Sequence, residues 1–225
     1  FSYFHPALED EPIIFVQVAL TNGLGKSIQE ITKPRTEGDK NYDSATFYSI
    51  SNCQEGLSRV TLGNFLIKRV VFEIQEENPK IKNFGTLSPL PGFADWFLEL
   101  NNEKLKDILK DYDIRKLEFL RSPNLKIGEP KIIDEEKAIK KLVAHYLINE
   151  KINNKPLNPV SRFHLGNGAS IHNIIINGNV SDYGYRESFG VMVNYGYQLD
   201  KLEKIHEDFI TKGIISYSDK VKKYV

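Results

Sequence analysis

Short apolar runs alternate along the chain with longer stretches in which apolar residues recur every three or four positions. Residues 13–20 and 45–51 are rich in β-branched and aromatic side chains, and Pro12 precedes the first run. Runs of this length and composition predict β-strands. The charged and polar residues 33–44 contain a proline and a glycine, and they predict a surface loop between the two strands.

A helix and a third strand are predicted next. Apolar residues recur at helical spacing over residues 63–77, and Pro79 predicts the end of this helix. The apolar positions concerned are Phe65, Leu66, Val70 and Ile74. Residues 82–88 then predict a strand, which Pro89 and Pro91 end.

Apolar residues recur at helical spacing over residues 92–149, and the faces between them are charged. A solvated surface is the simplest interpretation of those charges. Strand character returns in residues 169–179 and 189–199, and a charged helix is predicted from Asp200 onward. The order is therefore strands, helix, strand, helical insert and strands. This order predicts a mixed α/β fold in a single domain.

Composition narrows the classes of function. Thirty Lys and Arg residues balance thirty Asp and Glu residues, so the formal net charge is zero. No overall attraction to nucleic acid or to an anionic membrane follows, and any anion site must be local. No apolar run approaches the roughly 20 residues that a membrane-spanning helix needs. The single cysteine, Cys53, excludes an internal disulfide framework.

Three familiar motifs are absent or incomplete. Residues 21–27 (TNGLGKS) suggest a phosphate loop, but a Walker A motif requires glycine where Leu20 stands, so a polar turn is favoured. If one strand carried both His164 and His172, they would lie about 26 Å apart, too far to share a metal ion. The G-x-S-x-G nucleophile elbow is absent, and Cys53 has no histidine near it in sequence.

Residues 49–71 form a strand, a link and the start of the predicted helix. The link contains Gly56 and Gly63, and it ends where the helix begins. Free backbone N–H groups and the helix dipole at such a start favour a phosphate or diphosphate, to which Arg59 would add a positive charge. Many turns of this kind contain two glycines, so an ordinary turn is the more frequent interpretation.

Two further side chains are candidates for chemistry. Ser88 ends a strand before Pro89, which favours an extended backbone, and the stiff segment would fix the direction of its hydroxyl. His164 precedes a Gly-Asn-Gly turn, and an unperturbed histidine pKa of about 6.5 suits a proton donor. The residue types leave the alternatives open, since a turn serine and a buried core histidine are commoner at such positions.

In this order, these stretches resemble the catalytic domain of the malonyl-CoA decarboxylase family. The resemblance covers most of the chain from Phe4 to Tyr197. The matching segments are FHPALEDEPIIFVQVALT, ATFYSIS, GLSRVTLGNFLIKRVV, TLSPLPGF, LNPVSRFHLGNGA and VNYGY. The resemblance implies that residues 1–225 form a catalytic domain with an acetyltransferase-like (GNAT) α/β fold, a mixed sheet flanked by helices. A helical insert is expected at about residues 99–150, shorter and more charged than the family's, and the family's helical amino-terminal domain is expected to be absent.

The resemblance also implies the site residues. The serine of the family's L-S-P-x-P-G-F segment corresponds to Ser88, and the histidine of its N-P-V-x-x-F-H-L segment corresponds to His164. The tyrosine of the N-Y-x-Y segment corresponds to Tyr197, and the coenzyme A loop falls on residues 58–64. The loop residues are Ser58, Arg59, Val60, Thr61, Leu62, Gly63 and Asn64.

The implied reaction is the decarboxylation of malonyl-CoA to acetyl-CoA and CO2. Ser88 and His164 would act on the malonyl group as catalytic residues, while residues 58–64 hold the coenzyme A diphosphate and Tyr197 completes the polar end of the pocket. No metal or separate cofactor is expected, because coenzyme A is part of the substrate. A CoA-dependent acyltransferase and a non-catalytic acyl-CoA-binding module are the alternatives.

The expected partners and compartment follow from the same resemblance. Malonyl-CoA is the expected small-molecule partner, with no nucleic acid and no membrane. A homo-oligomer is expected, assembled through the missing helical domain. The bacterial cytoplasm or the mitochondrial matrix is the expected location. A peroxisomal location is not supported, because residues 223–225 are not the Ser-Lys-Leu signal.

Overall fold

The computed structural model describes residues 1–34, 42–54, 63–123 and 125–225, and these residues divide into two compact units. The first unit comprises Phe1–Leu87 and Gly196–Leu199, and the second comprises Ser88–Tyr195 and Asp200–Val225. Each unit contains both strands and helices, which confirms the predicted mixed α/β fold.

The first unit is a sheet with a crossover helix. Its elements are β1 (Ser2–His5), β2 (Leu8–Thr21), α1 (Ile28–Ile31), β3 (Ser44–Asn52), α2 (Gly63–Glu77) and β4 (Asn83–Thr86). Strand β2 pairs antiparallel with both β1 and β3, whereas β3 and β4 are parallel. Parallel neighbours need a crossover connection, and α2 is the helix in that connection. On its other side, β4 pairs antiparallel with Gly196 and Tyr197.

The predicted helix of the first unit is confirmed with the predicted bounds, Gly63–Glu77. Among residues 67–77, the buried side chains fall at positions i, i+3, i+4 and i+7, the spacing of one helical face. They are Ile67, Val70, Val71 and Ile74, each at most 4% exposed. The predicted strand at residues 45–51 is confirmed as β3, in which Ala45 and Phe47 are buried.

The second unit contains most of the helices. Its elements are β5 (Ser88–Pro89), α3 (Phe93–Glu99), α4 (Asn102–Leu109), a 3₁₀ helix (Ile114–Arg121), α5 (Lys131–Asp134), α6 (Glu136–Ile148), β6 (Lys151–Ile152), β7 (Lys155–Pro156), α7 (Pro159–Gly166), β8 (Ser170–Ile175), α8 (Asp182–Ser188), β9 (Met192–Tyr197), α9 (Leu202–Lys212) and α10 (Asp219–Lys222). The last two residues of β9 belong to the first unit. Strands β5 and β8 both pair with β9. The helical character predicted for residues 92–149 is confirmed.

Two short helices were not among the predicted elements. Helices α7 and α8 span only about two turns each, too short for a clear apolar period. Both are capped at their first turn, α7 by Asn158 and α8 by Ser181, whose side-chain oxygens accept backbone N–H groups. Strand β9 begins later than predicted because Phe189 and Gly190 have φ values of +55° and +78°, which are incompatible with a strand. Among the described residues, no helix is both long enough and apolar enough to cross a membrane.

Candidate active site

Ser88 lies in the short strand β5 of the second unit. It pairs with Val193 of β9, so the sheet holds its backbone, and its side chain is only 5% exposed. The following Pro89 pairs with Met192 and belongs to the same strand. The expected extended backbone is therefore confirmed at Ser88. The prediction that Pro89 ends a strand running over residues 82–88 is wrong, because β4 ends at Thr86 and Pro89 pairs within β5.

His164 lies in helix α7, in its last turn. The helix begins at Pro159, after Asn158, whose Oδ1 accepts the backbone N–H of Ser161 at 2.8 Å. Asparagine at the N-cap followed by proline is a strong signal for a helix start, and it was present in the sequence. The helix ends at Gly166, two residues after the histidine, and the chain turns at Gly168, whose φ is +79°.

A single backbone carbonyl joins the segment of Ser88 to the helix of His164. The Pro91 oxygen accepts a hydrogen bond from Asn158 Nδ2 at 2.9 Å and another from Tyr146 Oη at 3.1 Å. Asn158 is fully buried and also caps α7. One asparagine side chain therefore fixes both the start of the helix and the backbone that follows Ser88.

These connections bring the two candidate catalytic side chains together. Ser88 Oγ lies 3.0 Å from His164 Nε2, a hydrogen-bonding distance between residues that are 76 positions apart. His164 is 4% exposed, so both partners are buried. A hydroxyl and an imidazole in this arrangement can exchange a proton, and they can jointly contact one small polar group.

Aromatic rings surround the imidazole. The Tyr195 ring is stacked on it, with 4.6 Å between the ring centroids and 27° between the planes. Phe163 meets it edge to face, with 5.1 Å between the centroids. Burial among these rings penalises the charged imidazolium and lowers the pKa of His164 to about 3. The ring is therefore neutral at neutral pH, unlike the histidine of ordinary pKa on which the sequence argument relied.

The other predicted site residues belong to the first unit or lie outside the described residues. Tyr197 is buried at the end of β9, where it pairs with Phe84 of β4. Gly63 and Asn64 are the first residues of helix α2. Residues 58–62 lie outside the described residues.

Tyr195 was missed by the sequence analysis. The N-Y-x-Y resemblance pointed to Tyr197, two positions later in the same strand. No local signal in the sequence could have found it, because Tyr195 and Tyr197 share one face of the strand, and only the register of β9 with β5, in which Val193 pairs with Ser88, brings Tyr195 near the pair.

The remaining sequence candidates have structural explanations. Phe93 and Phe97 are buried in helix α3, Trp96 of the same helix is half-buried, and Cys53 is exposed. His164 and His172 occupy different elements, α7 and β8, so a distance along one strand does not apply to them. Within the described ranges, no group of three His, Cys, Asp or Glu side chains is arranged to hold a metal ion.

Comparison with known proteins identifies relatives over the whole chain. The family model described as "Malonyl-CoA decarboxylase C-terminal domain" matches residues 1–225. A goose protein named "Malonyl-CoA decarboxylase, mitochondrial" is 35% identical over 245 residues, covering 99% of this chain and 49% of the relative. A mouse protein of the same name is 37% identical, covering 88% of this chain and 45% of the relative.

Solved structures agree with these matches. The crystal structure of malonyl-CoA decarboxylase from Rhodopseudomonas palustris is 40% identical with a TM-score of 0.86, and it covers 100% of this chain and 52% of that one. The corresponding structure from Agrobacterium vitis is 38% identical with a TM-score of 0.87, covering 99% of this chain and 56% of that one. The chain thus spans about half the length of the relatives it matches. Over that span, it belongs to the malonyl-CoA decarboxylase family.

Proposed function

We propose that this chain carries out the decarboxylation of malonyl-CoA to acetyl-CoA and CO2, as a carboxy-lyase. The observation that carries the proposal is the buried contact of 3.0 Å between Ser88 Oγ and His164 Nε2 in a chain of this family. A hydroxyl and an imidazole can supply the hydrogen-bond donor and the acid that this reaction needs beside the acyl group.

The chemistry sets the requirements. When the bond between the carboxylate carbon and the α-carbon breaks, CO2 leaves and the electron pair moves onto the thioester oxygen as an enolate. The α-carbon then takes a proton to give the acetyl group. The protein must supply hydrogen-bond donors to the developing charge and an acid for the carbon. No metal or further cofactor is required, because the thioester accepts the electrons.

His164 and Ser88 would meet these requirements together. A neutral imidazole is a poor acid, but the incoming malonyl carboxylate would favour the imidazolium and raise the pKa of His164. The charged ring would then donate its Nε2 proton, directly or through the Ser88 hydroxyl, to the α-carbon. One proton enters with the substrate and leaves in acetyl-CoA, so the ring returns to its neutral state.

The coenzyme A contacts are proposed from the family resemblance. The diphosphate is assigned to residues 58–64 and the polar end of the acyl pocket to Tyr197. Helix α2 begins at Gly63 and has no acidic residue in its first turn, so no side-chain carboxylate there opposes an anion. This feature supports a phosphate contact at the start of the helix.

A CoA-dependent acyltransferase is the alternative, because a serine next to a histidine is also the arrangement of a nucleophile and its base. The two functions are distinguished by incubating the full-length protein with malonyl-CoA and no acyl acceptor. Equal amounts of acetyl-CoA and CO2 support the decarboxylase. Consumption only after an amine or thiol is added supports the transferase, and binding without any turnover supports an acyl-CoA-binding module.

The wider setting is proposed with the function. The mammalian and avian relatives are named as mitochondrial, which supports the mitochondrial matrix, and the bacterial cytoplasm is the alternative. A homo-oligomer stays a prediction. Size-exclusion chromatography with light scattering on the full-length protein would test it.

A further inference from the structure

The His164 ring has an aromatic neighbour outside the hydroxyl–imidazole pair. Tyr195 is 0% exposed and is stacked on the imidazole, with 4.6 Å between the ring centroids and 27° between the planes. Offset stacks of this kind have a preferred geometry and restrict rotation of the smaller ring. The aromatic face that His164 contacts is therefore built into the core of the second unit.

One strand holds both Tyr195 and the backbone of Ser88. Strand β9 pairs with Ser88 at Val193, and the strand period of two places Tyr195 on the same face as Val193. The backbone of the residue that carries the hydroxyl is thus paired with the strand that carries the stacking ring. This pairing fixes the relation between Ser88 and the aromatic face on which the imidazole lies.

Ser161 is three positions before His164 and therefore lies on the same face of α7. The Ser161 hydroxyl lowers the pKa of the Tyr195 phenol, against the larger effect of burial, which raises it. The Tyr195 side chain therefore lies beside the face of α7 that carries His164.

We propose that Tyr195 is a positioning residue for the reaction: its ring fixes the plane of the His164 imidazole so that Nε2 faces Ser88 Oγ. Tyr195 itself transfers no proton and contacts the substrate at no step. The inference rests on the proposed function for its effect on turnover, but the orientation of the imidazole is a property of the unliganded protein. The effect on turnover and the orientation of the imidazole are therefore measured separately.

The decisive variant is Tyr195→Met in the full-length protein. Methionine fills most of the buried volume but has no flat ring on which the imidazole can lie. Misplacement of a reacting group by about 1 Å costs on the order of a hundredfold in rate. We expect kcat to fall about 10- to 100-fold while KM for malonyl-CoA stays within about threefold, because the substrate contacts are unchanged.

Two companion variants separate positioning from general destabilisation. Tyr195→Phe keeps the ring and removes the hydroxyl, so kcat should stay within about threefold of wild type. Phe97→Met removes another fully buried ring of the same unit, one whose edge-to-face contact is with Phe189 and not with His164. It should lower the melting temperature as Tyr195→Met does, yet leave kcat unchanged.

The second measurement is independent of turnover. Proteins labelled with ¹⁵N-histidine are compared by NMR, and the His164 signals are identified by their loss in His164→Gln. We expect Tyr195→Met to change the His164 ring nitrogen shifts, while Tyr195→Phe and Phe97→Met leave them in place. An inactive wild type with this NMR pattern would refute the proposed function but retain the positioning role. Unchanged His164 shifts in Tyr195→Met, or an equal loss of kcat in Phe97→Met, would overturn the inference.

Discussion

Ser88 Oγ lies 3.0 Å from His164 Nε2, and the Pro91 carbonyl ties the backbone after the serine to the asparagine that caps the histidine's helix. The contact therefore depends on a strand pairing, a helix cap and one shared oxygen. A single substitution can therefore disturb the contact, either at the two side chains themselves or at the helix cap that positions one of them.

Removing the imidazole should abolish most of the turnover. His164→Gln keeps a polar side chain of similar length but cannot exchange a proton, so we expect kcat to fall about 10²- to 10⁴-fold. Release of CO2 from malonyl-CoA measures the effect. His172→Gln, at a half-buried histidine on β8, is the matched control and should retain wild-type kcat. Equal activity in the two variants would refute the role of His164.

Removing the Ser88 hydroxyl should lower activity, whereas removing the buried Ser188 hydroxyl should lower only stability. Ser88→Ala leaves the imidazole without this hydrogen bond, and we expect kcat to fall about 10²-fold or more. Ser188→Ala removes a buried hydroxyl that donates to the carbonyls of Gly184 and Val191, so it should cost about 1–2 kcal/mol of unfolding free energy at normal kcat. Turnover assays and urea unfolding of both variants test this contrast. It fails if the Ser188 variant loses activity and the Ser88 variant keeps it.

The neutral state of His164 predicts how stability depends on pH. The folded protein keeps the ring neutral down to a pKa of about 3, whereas the unfolded chain binds a proton near pH 6.5. Between these values the unfolded state binds more protons, so stability falls as the pH falls, by at most about 1.4 kcal/mol per pH unit from this group. Above pH 6.5 its contribution is constant.

Urea unfolding at several pH values between 4 and 8 measures this dependence. His164→Gln removes the titrating group, so the variant should lose less stability than wild type as the pH is lowered. His145 and His172 also have lowered pKa values because of burial, and they contribute equally to both proteins. Parallel curves for wild type and His164→Gln would show that burial does not keep this ring neutral.

The helix cap should matter for turnover as well as for stability. Asn158→Ala removes the N-cap of α7 and the hydrogen bond to the Pro91 carbonyl, at an expected cost of about 1–3 kcal/mol. Since the histidine moves with its helix, kcat should fall about tenfold or more.

Two variants isolate the two roles of Asn158. Asn158→Ser retains a capping oxygen but is too short to reach Pro91, so stability should recover more than kcat. Asn101→Ala removes an exposed cap, the acceptor of the Lys104 N–H at the start of α4, and should affect stability only. A normal kcat in Asn158→Ala would contradict the coupling.

The turn after His164 should tolerate no side chain. Gly168 has φ +79°, and an added Cβ would lie 2.4 Å from the Leu202 carbonyl oxygen, so Gly168→Ala should cost about 3 kcal/mol or more. Gly128 has φ +74° but open space around it, and Gly128→Ala should cost only about 1–2 kcal/mol. Thermal unfolding of both variants decides. Equal costs would show that backbone conformation, not the close approach to Leu202, sets the penalty.

The elements that could be predicted from the sequence are those in which apolar residues recur at a regular spacing over many positions. Helix α2 has its predicted bounds because a full apolar face recurs through it and Pro79 follows. Helix α7 has only eight residues, too few for a period to stand out, and its start was signalled by Asn158 and Pro159 alone. Strand β9 was predicted too long because the left-handed φ of Phe189 depends on its tertiary setting.

The residues of the candidate site could be predicted from the sequence, but their arrangement in space could not. The resemblance named Ser88 and His164, yet no local pattern states that a strand and a helix separated by the helices α3–α6 meet. The pKa of His164 could not be predicted either, because burial depends on packing partners such as Phe163 and Tyr195. Stacking by Tyr195 required the register of β9 with β5.

The hydrogen bonds at the Pro91 carbonyl have a consequence for how this protein can vary. They clamp the chain at two points, just before α3 and at the start of α7, so the path between them begins and ends at one anchor. Insertions in an exposed loop of that excursion, away from Tyr146 of α6, should leave the spacing of hydroxyl and imidazole intact. Such a loop is therefore a place where a fusion partner could be grafted.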